Sequence, residues 1–439
     1  TAEEVMNDVG RFFLHTKTMH RWSGLNNNSW FDSTNWIPNS VPTNTANVII
    51  EQEAQNSPVI GTSDDITINN LIINKAEGIQ IESGGSLIVN GTYSGTGTVS
   101  YERNLATDNW YLVSSAVSNE TYNDAFVSSN DLATNGTNNA IAFYDNTDNS
   151  WSYYQTNAAS ENFISGIGYA VKRNSPGSIK FKGGINTRNV VVALTDHSSK
   201  TDGSRLNLIG NPYTSYINSA TFLDTEASIS ESKTLWLWNQ NFNFYDVIEA
   251  DDAFIIAPAQ GFFVKANTNG GDFKFDKSNQ SHNEDTFQKN ASNTIVVKLW
   301  ITTEDGKKNY CRIKYKENAT KGFDVGYDGE LFGGATHSFA IYSHLLEDNV
   351  GVKYQLQSLP NKDYDNMVVP IGIIANSTFV NKQISFTSEV TNLPEGLEVY
   401  VEDTLTNTLT RLDEENNEYT FTAEEVMNDV GRFFLHTKT

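Results

Sequence analysis

The chain has 439 residues, enough for roughly two to four domains, and it is rich in aromatic side chains and in Asn, Thr, Ser and Gly. Its formal net charge of −23 argues against nucleic acid or an anionic membrane as partner, because affinity for phosphate groups needs clustered cations. No apolar run is long enough to cross a bilayer, so we expect no membrane insertion. Abundant β-formers and turn residues, with few helix formers, predict an all-β fold.

The first element in chain order is a segment that occurs twice. Thr1–Thr18 reads TAEEVMNDVGRFFLHTKT, and Thr422–Thr439 reads the same, an offset of 421 residues. Three explanations are open. The chain is one period of a covalent tandem array or filament, with Thr1–Thr18 as the tail of the preceding unit; or separate chains are joined by a donated strand; or the copy is an artificial addition that completes an exposed edge. Met19, directly after the first copy, keeps the third explanation open.

Residues 19–104 form a region of short strands rich in Trp, Gly and Asn. Trp22, Trp30 and Trp36 lie in its opening stretch. Five brief apolar runs follow, separated by tight turns: Val48–Ile50, Ile66–Ile68, Leu71–Ile73, Ile79–Ile81 and Leu87–Val89. Their short and regular spacing predicts a small parallel β-solenoid, with a compact sandwich as the alternative.

Residues 105–290 are predicted to form a jelly-roll-like antiparallel sandwich, because the strand patterns become longer. Ile141–Tyr144 and Trp151–Tyr154 flank the turn Asp145–Ser150, which predicts a hairpin. The acidic, amide-rich stretch Asp276–Asn293 has little apolar periodicity, and we interpret it as a linker.

Residues 291–439 carry a further series of alternating strands and are predicted to form an immunoglobulin-like sandwich that ends in the second copy of the duplicated segment. Thr422–Glu425 fits a capping box for one helical turn. Gly431 then leads into a short strand, Arg432–His436, and the identical Arg11–His15 should form the same strand. The apolar side chains expected to join units are Phe12, Phe13 and Leu14 in the first copy and Phe433, Phe434 and Leu435 in the second.

Eight motifs of Gly, Asn, Pro and aromatic residues are spread along the chain. They are Gly166–Lys172, Leu208–Tyr213, Trp236–Asn239, Ile256–Lys265, Gly322–Gly329, Phe332–Gly334, Leu393–Val399 and Gly431–Thr437. Together with the opening Trp22-Ser-Gly, Asn35-Trp36 and Val41-Pro42, they resemble large adhesin-like surface proteins exported by the type IX secretion system, in the region that precedes the sorting domain. The resemblance implies an extracellular location and a structural or adhesive role. The doubled terminal motif departs from the family pattern and favours a filament or array.

Known catalytic signatures are missing from the sequence. It has no HExxH, GxSxG or P-loop motif, and the seven histidines show no close metal-ligand spacing. Cys311, the single cysteine, lies in an alternating run that predicts a buried strand thiol. Glu249, Asp251 and Asp252 are close enough to suggest paired carboxylates, but a chain with 53 acidic residues offers such pairs by chance. We therefore expect a protein without catalytic residues.

Two binding hypotheses remain. Asp324, Asp328 and Glu330 lie in a Gly-rich loop whose spaced carboxylates are candidate calcium ligands, with an ordinary hydrogen-bonded turn as the alternative. Trp236 and Trp238 lie on one face of a predicted strand. With Tyr245 they would form a glycan-stacking platform if that face is exposed, or part of the core if it is covered.

The sequence favours a structural repeating unit of an extracellular β-rich filament or long surface adhesin. Its partners would be copies of itself, joined head to tail through the duplicated segment. A secreted glycan-binding surface protein without catalysis is the alternative.

Overall fold

The computed structural model describes residues 19–230, 232–282 and 294–439, and the fold is all-β, as predicted. The described residues contain one α-helix, α1 (Asp124–Ser129), whose first turn is capped by the Asn123 side chain. Short 3₁₀ turns occur at Ser33–Asn35, Ser219–Thr221, Ala250–Asp252, Lys277–Asn279, Tyr364–Asn366 and Ser377–Phe379. Among the described residues, no helix is long and apolar enough to span a lipid bilayer.

The N-terminal region is a parallel β-solenoid. Its strands are β1 (Met19–Trp22), β2 (Trp36–Ile37), β3 (Asn47–Ile50), β4 (Val59–Ile60), β5 (Asp65–Ile68), β6 (Asn70–Ile73), β7 (Glu77–Ile81), β8 (Ser86–Val89), β9 (Tyr93–Gly95) and β10 (Thr98–Leu105). Parallel pairing joins β1, β3, β6 and β9 on one face, β4, β7 and β10 on the second, and β5 and β8 on the third. The predicted solenoid is therefore confirmed.

Each turn of the solenoid stacks on a turn about twenty residues away. Asn47 lies opposite Asn70, and Asp65 lies opposite Ser86. Asn47 also accepts side-chain hydrogen bonds from Asn69 and Asn70, both at 2.8 Å. Alternation along the strands sends Val, Ile and Leu side chains inward, and this explains why such brief apolar runs are sufficient.

Three tryptophans fill the core at the N-terminal end of the solenoid. Trp22, Trp30 and Trp36 are fully buried, and Trp36 packs edge-on against both others with ring centroids 4.8 Å apart. The edge strand β2 lies outside β1 in this face. We call residues 19–37 the solenoid cap.

The middle region is built from antiparallel pairs. Its strands are β11 (Trp110–Ser114), β12 (Thr121–Tyr122), β13 (Thr134–Asn135), β14 (Asn138–Asp145), β15 (Ser150–Gln155), β16 (Glu161–Asn162), β17 (Gly168–Lys172), β18 (Gly177–Gly183), β19 (Val190–Leu194), β20 (Leu206–Gly210), β21 (Tyr216–Asn218), β22 (Leu235–Asn239), β23 (Phe244–Ile248), β24 (Ile255–Ile256), β25 (Gly261–Lys265), β26 (Gly271–Phe275) and β27 (Gln280–Ser281). The predicted hairpin is confirmed, since Asp145 pairs with Ser150. Of the predicted linker, the described part forms a turn and β27, which pairs with β21; residues 283–293 lie outside the described residues.

The C-terminal region is a single sheet of eleven strands. They are β28 (Ile295–Thr303), β29 (Lys308–Lys316), β30 (Gly329–Glu330), β31 (Phe339–Ser343), β32 (Tyr354–Pro360), β33 (Val368–Ala375), β34 (Gln383–Thr391), β35 (Glu398–Asp403), β36 (Thr408–Arg411), β37 (Tyr419–Thr422) and β38 (Phe433–Lys438). All pairs are antiparallel except β29 with β32. The sheet curls until its ends meet, where the Tyr419 hydroxyl donates to Asp403 at 2.7 Å, so the region is a nearly closed sandwich.

The three regions pack against one another. β10 pairs antiparallel with β18, and one core cluster continues from the solenoid into the middle region. A second cluster joins the middle region to the C-terminal sheet, where Phe332 packs on Tyr245 and Phe263. The core of the C-terminal sheet is a separate cluster.

Candidate assembly site

The strand formed by the second copy lies inside the C-terminal sheet. β38 is flanked by β33 and β35 and pairs antiparallel with both, so that Leu435 faces Val369 on one side and Val401 on the other. A central strand has both rows of backbone N–H and C=O groups paired, whereas an edge strand leaves one row open. We call the gap that β38 fills, between β33 and β35, the strand slot.

Alternation along β38 sends three side chains into the core. Phe433, Leu435 and Thr437 are 1, 0 and 1 % exposed. The Phe433 ring contacts Phe386 and Phe421, with centroids 5.0 and 4.7 Å away. Full burial of each large apolar side chain contributes roughly 1.5–3 kcal/mol. The predicted strand is confirmed, with bounds shifted slightly toward the C-terminus.

The outer face of β38 is polar and only partly covered. Phe434 lies opposite Pro370 and is half-buried, because neighbouring residues of a strand point to opposite faces. The expectation that Phe433 and Phe434 are both buried anchors is therefore corrected, and only Phe433 fills the core. On the same outer face, His436 contacts the Glu402 carboxylate at 2.7 Å.

A partly buried ion pair holds the start of the strand. Arg432 donates to both carboxylate oxygens of Asp403, with Nε–Oδ1 at 3.0 Å and Nη2–Oδ2 at 2.7 Å. Burial favours a higher pKa for Asp403, but the hydrogen bonds from Arg432 and Tyr419 outweigh it and the pKa is lowered. The Arg432 guanidinium also lies over the Phe433 ring, 4.7 Å from its centroid. The pair fixes the register in which the segment enters the slot.

The residues that lead into β38 are also bound. Ala423 exchanges backbone hydrogen bonds with Asn381 and Lys382 at 2.7 and 3.0 Å. Met427 exchanges two with Ala375, both at 2.9 Å. The helical turn predicted at Thr422–Glu425 is wrong, because Thr422 ends β37 and the next residue continues sheet-like pairing.

The far end of the segment is held by polar contacts. The Thr437 hydroxyl lies 3.1 Å from the Tyr315 hydroxyl and donates to the Tyr364 carbonyl at 3.2 Å. Thr439 donates to the Asp365 carboxylate from its backbone N–H at 2.7 Å and from its hydroxyl at 2.6 Å. The second copy is thus bound from Thr422 to Thr439.

The first copy has the same side chains in the same order, so it has the same chemical complementarity to an equivalent slot. Phe12, Phe13 and Leu14 correspond to Phe433, Phe434 and Leu435. They lie outside the described residues, as does the predicted strand Arg11–His15.

The predicted glycan platform is covered. Trp236 and Trp238 do lie on one face, and both belong to the packing between the middle region and the C-terminal sheet. Trp236 is 1 % exposed, and Tyr245 is buried against Phe332 with ring centroids 3.8 Å apart. Trp238 is half-buried, and its indole N–H donates to the Trp110 carbonyl at 2.8 Å. Of the two alternatives for these side chains, the structure therefore supports the core, because stacking on a sugar needs a free ring face.

The calcium candidates do not converge. The two carboxylate oxygens of Asp328 accept the backbone N–H groups of Asp324 and Ser358, each at 2.7 Å, and burial raises its pKa to about 7. Glu330 instead pairs with Lys265, both oxygens at 2.8 Å. Across residues 19–230, 232–282 and 294–439, no group of three metal-ligating side chains is arranged to hold an ion. Of the two alternatives for this loop, the structure shows the hydrogen-bonded turn, with the Asp324 N–H bound to the Asp328 carboxylate.

The carboxylates before β24 join an ion cluster that the sequence analysis missed. Its members are Glu249, Asp251 and Asp252 from the middle region and Arg312, Lys314 and Lys316 from β29. The Glu249 side chain has no exposed area and pairs with Lys314 and with Lys316, the latter at 2.7 Å. The signal was available, because alternation places three cations of β29 on one face while Ile313 and Tyr315 enter the core. The cluster docks the middle region on the C-terminal sheet.

A polar groove follows the same boundary. Two adjoining cavities of about 420 and 480 Å³ share Arg205, Lys265, Thr268 and Glu330. Hydroxyl and amide groups supply most of the other polar lining. Arg205 donates to the Thr268 hydroxyl at 3.3 Å. Grooves between domains are common ligand sites, and this lining is suited to a hydroxyl-rich ligand.

A family model described as a domain of unknown function (DUF8693) matches the chain over residues 21–93, 60–254 and 247–436. The chain belongs to this family. The matched stretches extend through all three regions and include the strand slot and most of β38. No curated protein and no solved structure matches the chain.

Proposed function

We propose that the chain is the structural repeating unit of an extracellular β-rich filament or long surface adhesin, and that units join head to tail through the duplicated segment. One observation carries the proposal. The segment that the sequence contains twice forms a fully paired central strand of the C-terminal sheet. A segment that fits such a slot can join two units, because a second copy of it can pair in the slot of a neighbouring unit.

The chain contains two copies of the duplicated segment but, in the part that the structure describes, one strand slot. Thr422–Thr439 fills this slot. The first copy therefore matches the slot of another unit. In a covalent array it completes the unit that precedes it in the same polypeptide. Between separate chains it acts as a donated strand where the accepting unit's slot is not filled by that unit's own Thr422–Thr439. Either contact is heterologous and does not close, so it generates an open fibre.

An extracellular, non-catalytic role is supported by the sequence. The resemblance to surface proteins of the type IX secretion system points to the cell surface. The carboxylates that suggested glycoside chemistry are paired with lysines and arginine in the docking cluster. Cys311 is fully buried, and burial raises the pKa of its thiol to about 12, far from that of a nucleophile.

Imaging of the native particle tests the proposal. We expect regular fibres with a constant axial repeat, and discrete monomers would contradict the assembly. Reading the gene beyond the codon for Thr439 separates the two kinds of joint. A second His-Arg-Trp-Ser-Gly start identifies a tandem array, and a sorting domain identifies separate subunits.

A second candidate function, glycan binding, is favoured by the polar groove rather than by the buried tryptophans. Arg205, Thr268 and the paired Lys265 and Glu330 offer donors and acceptors to an oligosaccharide. A glycan array probed with the intact protein tests this candidate. Binding that Arg205→Ala weakens, with Lys362→Ala as an exposed control far along the chain, would support it, and an array without hits would reject it.

A further inference from the structure

The solenoid cap exposes apolar side chains although its interior is filled. Leu25 and Phe31 are 62 and 50 % exposed, and Met19 and Ile37 are each 44 % exposed. The three cap tryptophans are buried core residues, and none of these four side chains belongs to the core cluster that contains them. Arg21 lies opposite Ile37 on β2 and is exposed beside them. Several exposed apolar side chains at one end of a stack are typical of an interaction surface.

The duplicated segment shows which part of the preceding unit would lie nearest to this cap, namely the end of β38. β38 ends at Lys438, one residue remains in the segment, and Thr439 corresponds to Thr18, which Met19 follows directly. Met19 begins β1. Between the last strand residue of one unit and the first of the next there are two Cα steps, at most about 7 Å. This rests on the proposed head-to-tail assembly, and within it no flexible linker separates the units.

The end of β38 carries charges of both signs, because Lys438 is the last strand residue and Lys362, Asp363 and Asp365 lie in the adjoining loop. The Thr439 end is held by Asp365, and Asp363 in the same loop is exposed. Val368, which lies opposite His436, is 38 % exposed on the same side of the sheet end. Acidic and apolar groups at the end of one unit therefore come within a few residues of Arg21 and the apolar cap of the next.

We propose that the solenoid cap is a docking surface for a second copy of this chain, namely the β38 end of the preceding unit's C-terminal sheet. The cap covers its exposed Leu25, Phe31, Met19 and Ile37 against that sheet end, with Arg21 facing Asp363 and Asp365. The joint is rigid, because the short connection and the apolar contact fix the angle between units.

The test uses a two-unit protein in which residues 1–439 are followed directly by a second copy of residues 19–439. Electron microscopy of single particles gives the distribution of angles between units. We expect one narrow peak. Leu25→Ser with Phe31→Ser in the second unit's cap should widen it about twofold or more, since domains without a large apolar contact move freely. Val350→Ser with Leu405→Ser, exposed apolar positions away from the joint, should leave the peak unchanged.

Arg21→Glu is a second variant that keeps the apolar cap and adds like charge beside Asp363 and Asp365. It should also widen the distribution, and the widening should shrink in high salt. Thermal unfolding identical to the parent protein shows that the variants fold. A broad distribution in the parent protein, or one that the cap variants do not change, overturns the docking surface. Because fusion joins the units by design, that result leaves the proposed function to its own imaging test.

Discussion

The solenoid and the C-terminal sheet differ in how far apart in the sequence their paired strands lie. From β3 to β10, each solenoid strand pairs with a strand about twenty residues away, as Asn47 pairs with Asn70. The C-terminal sheet depends on a strand from the end of the chain, where Leu435 pairs with Val369. Loss of one solenoid turn shortens a stack, whereas loss of β38 divides a sheet and exposes two edges. A joint between units is therefore expected at the sheet that depends on one late strand, and that strand is the one present twice.

The largest effect should come from the ion cluster that docks the C-terminal sheet, because its Glu249 side chain is fully buried. The ion pairs that join β18 to the solenoid, Lys180–Glu102 and Lys182–Glu77, are more exposed. Lys314→Met leaves the fully buried Glu249 with one of its two cations, and we expect a loss of about 3–5 kcal/mol, typical of a broken buried pair. Urea unfolding measures the loss. The matched control is Lys362→Met at an exposed position, and equal losses in the two variants would contradict the account.

Core truncations compare the two regions directly. Leu435→Ala and Leu71→Ala each remove a fully buried Leu side chain, and each should cost about 2–5 kcal/mol locally. Hydrogen exchange distinguishes them. Leu435→Ala should speed exchange throughout β33 and β35, while Leu71→Ala should affect neighbouring solenoid turns and leave β33 protected. If Leu435→Ala speeds amide exchange in β38 alone, the pairing of β33 and β35 does not depend on β38, and the account is contradicted.

The ion pair at the start of β38 should show coupling. Asp403→Ala and Arg432→Ala should each cost about 1–3 kcal/mol, because the first leaves the half-buried guanidinium and the second leaves the buried carboxylate without its ion-pair partner. A double-mutant cycle should show losses well below additive. Strict additivity would mean that the pair does not hold the segment in register.

Two further effects concern pH and have opposite signs. The lowered pKa of Asp403 contributes stability above its ordinary value near 3.8, and this is lost as pH falls through the folded pKa. The pKa of Asp328 is raised to about 7, so its contribution is full at acid pH and falls as pH rises from about 4 to 7. At about 1.4 kcal/mol per pKa unit, the rise of the Asp328 pKa from 3.8 to about 7 corresponds to about 4 kcal/mol.

Unfolding free energies measured from pH 3 to pH 8 check these signs. Asp328→Asn should flatten the decline between about pH 4 and 7, and Asp403→Asn should flatten the drop at the acid end. A parent profile without either slope, or variants that keep both, would contradict the assignment.

Sequence patterns predicted the strands well because alternation marks them directly. Brief runs such as Leu71–Ile73 were sufficient to indicate the solenoid. Which strands pair and which side chains cover one another was harder to predict. Nothing local indicates that β29 pairs parallel with β32, or that Trp236 is covered by a distant loop carrying Phe332. The capping box failed because tertiary pairing of Ala423 prevailed over a local preference.

In the candidate site, the sequence revealed the duplicated segment, its strand and its apolar anchors. The strand slot itself was hidden, because it is formed by β33 and β35, which are separated from β38 by tens of residues. The pairing of Arg432 with Asp403 was hidden for the same reason. The helix α1 was missed because six residues carry too little periodicity to be recognised.

The central claim is that the duplicated segment fills the strand slot of a neighbouring unit, and two permuted chains test it most directly. Residues 19–439 and residues 1–421 have the same composition, but the segment is at opposite ends. Light scattering and electron microscopy should find the first chain monomeric and the second assembled into open chains. A free peptide of the eighteen-residue sequence should shorten those chains, and the same peptide with serine in place of the Phe equivalent to Phe12 should not. A second chain that stays monomeric, or aggregates without response to the peptide, would contradict the account.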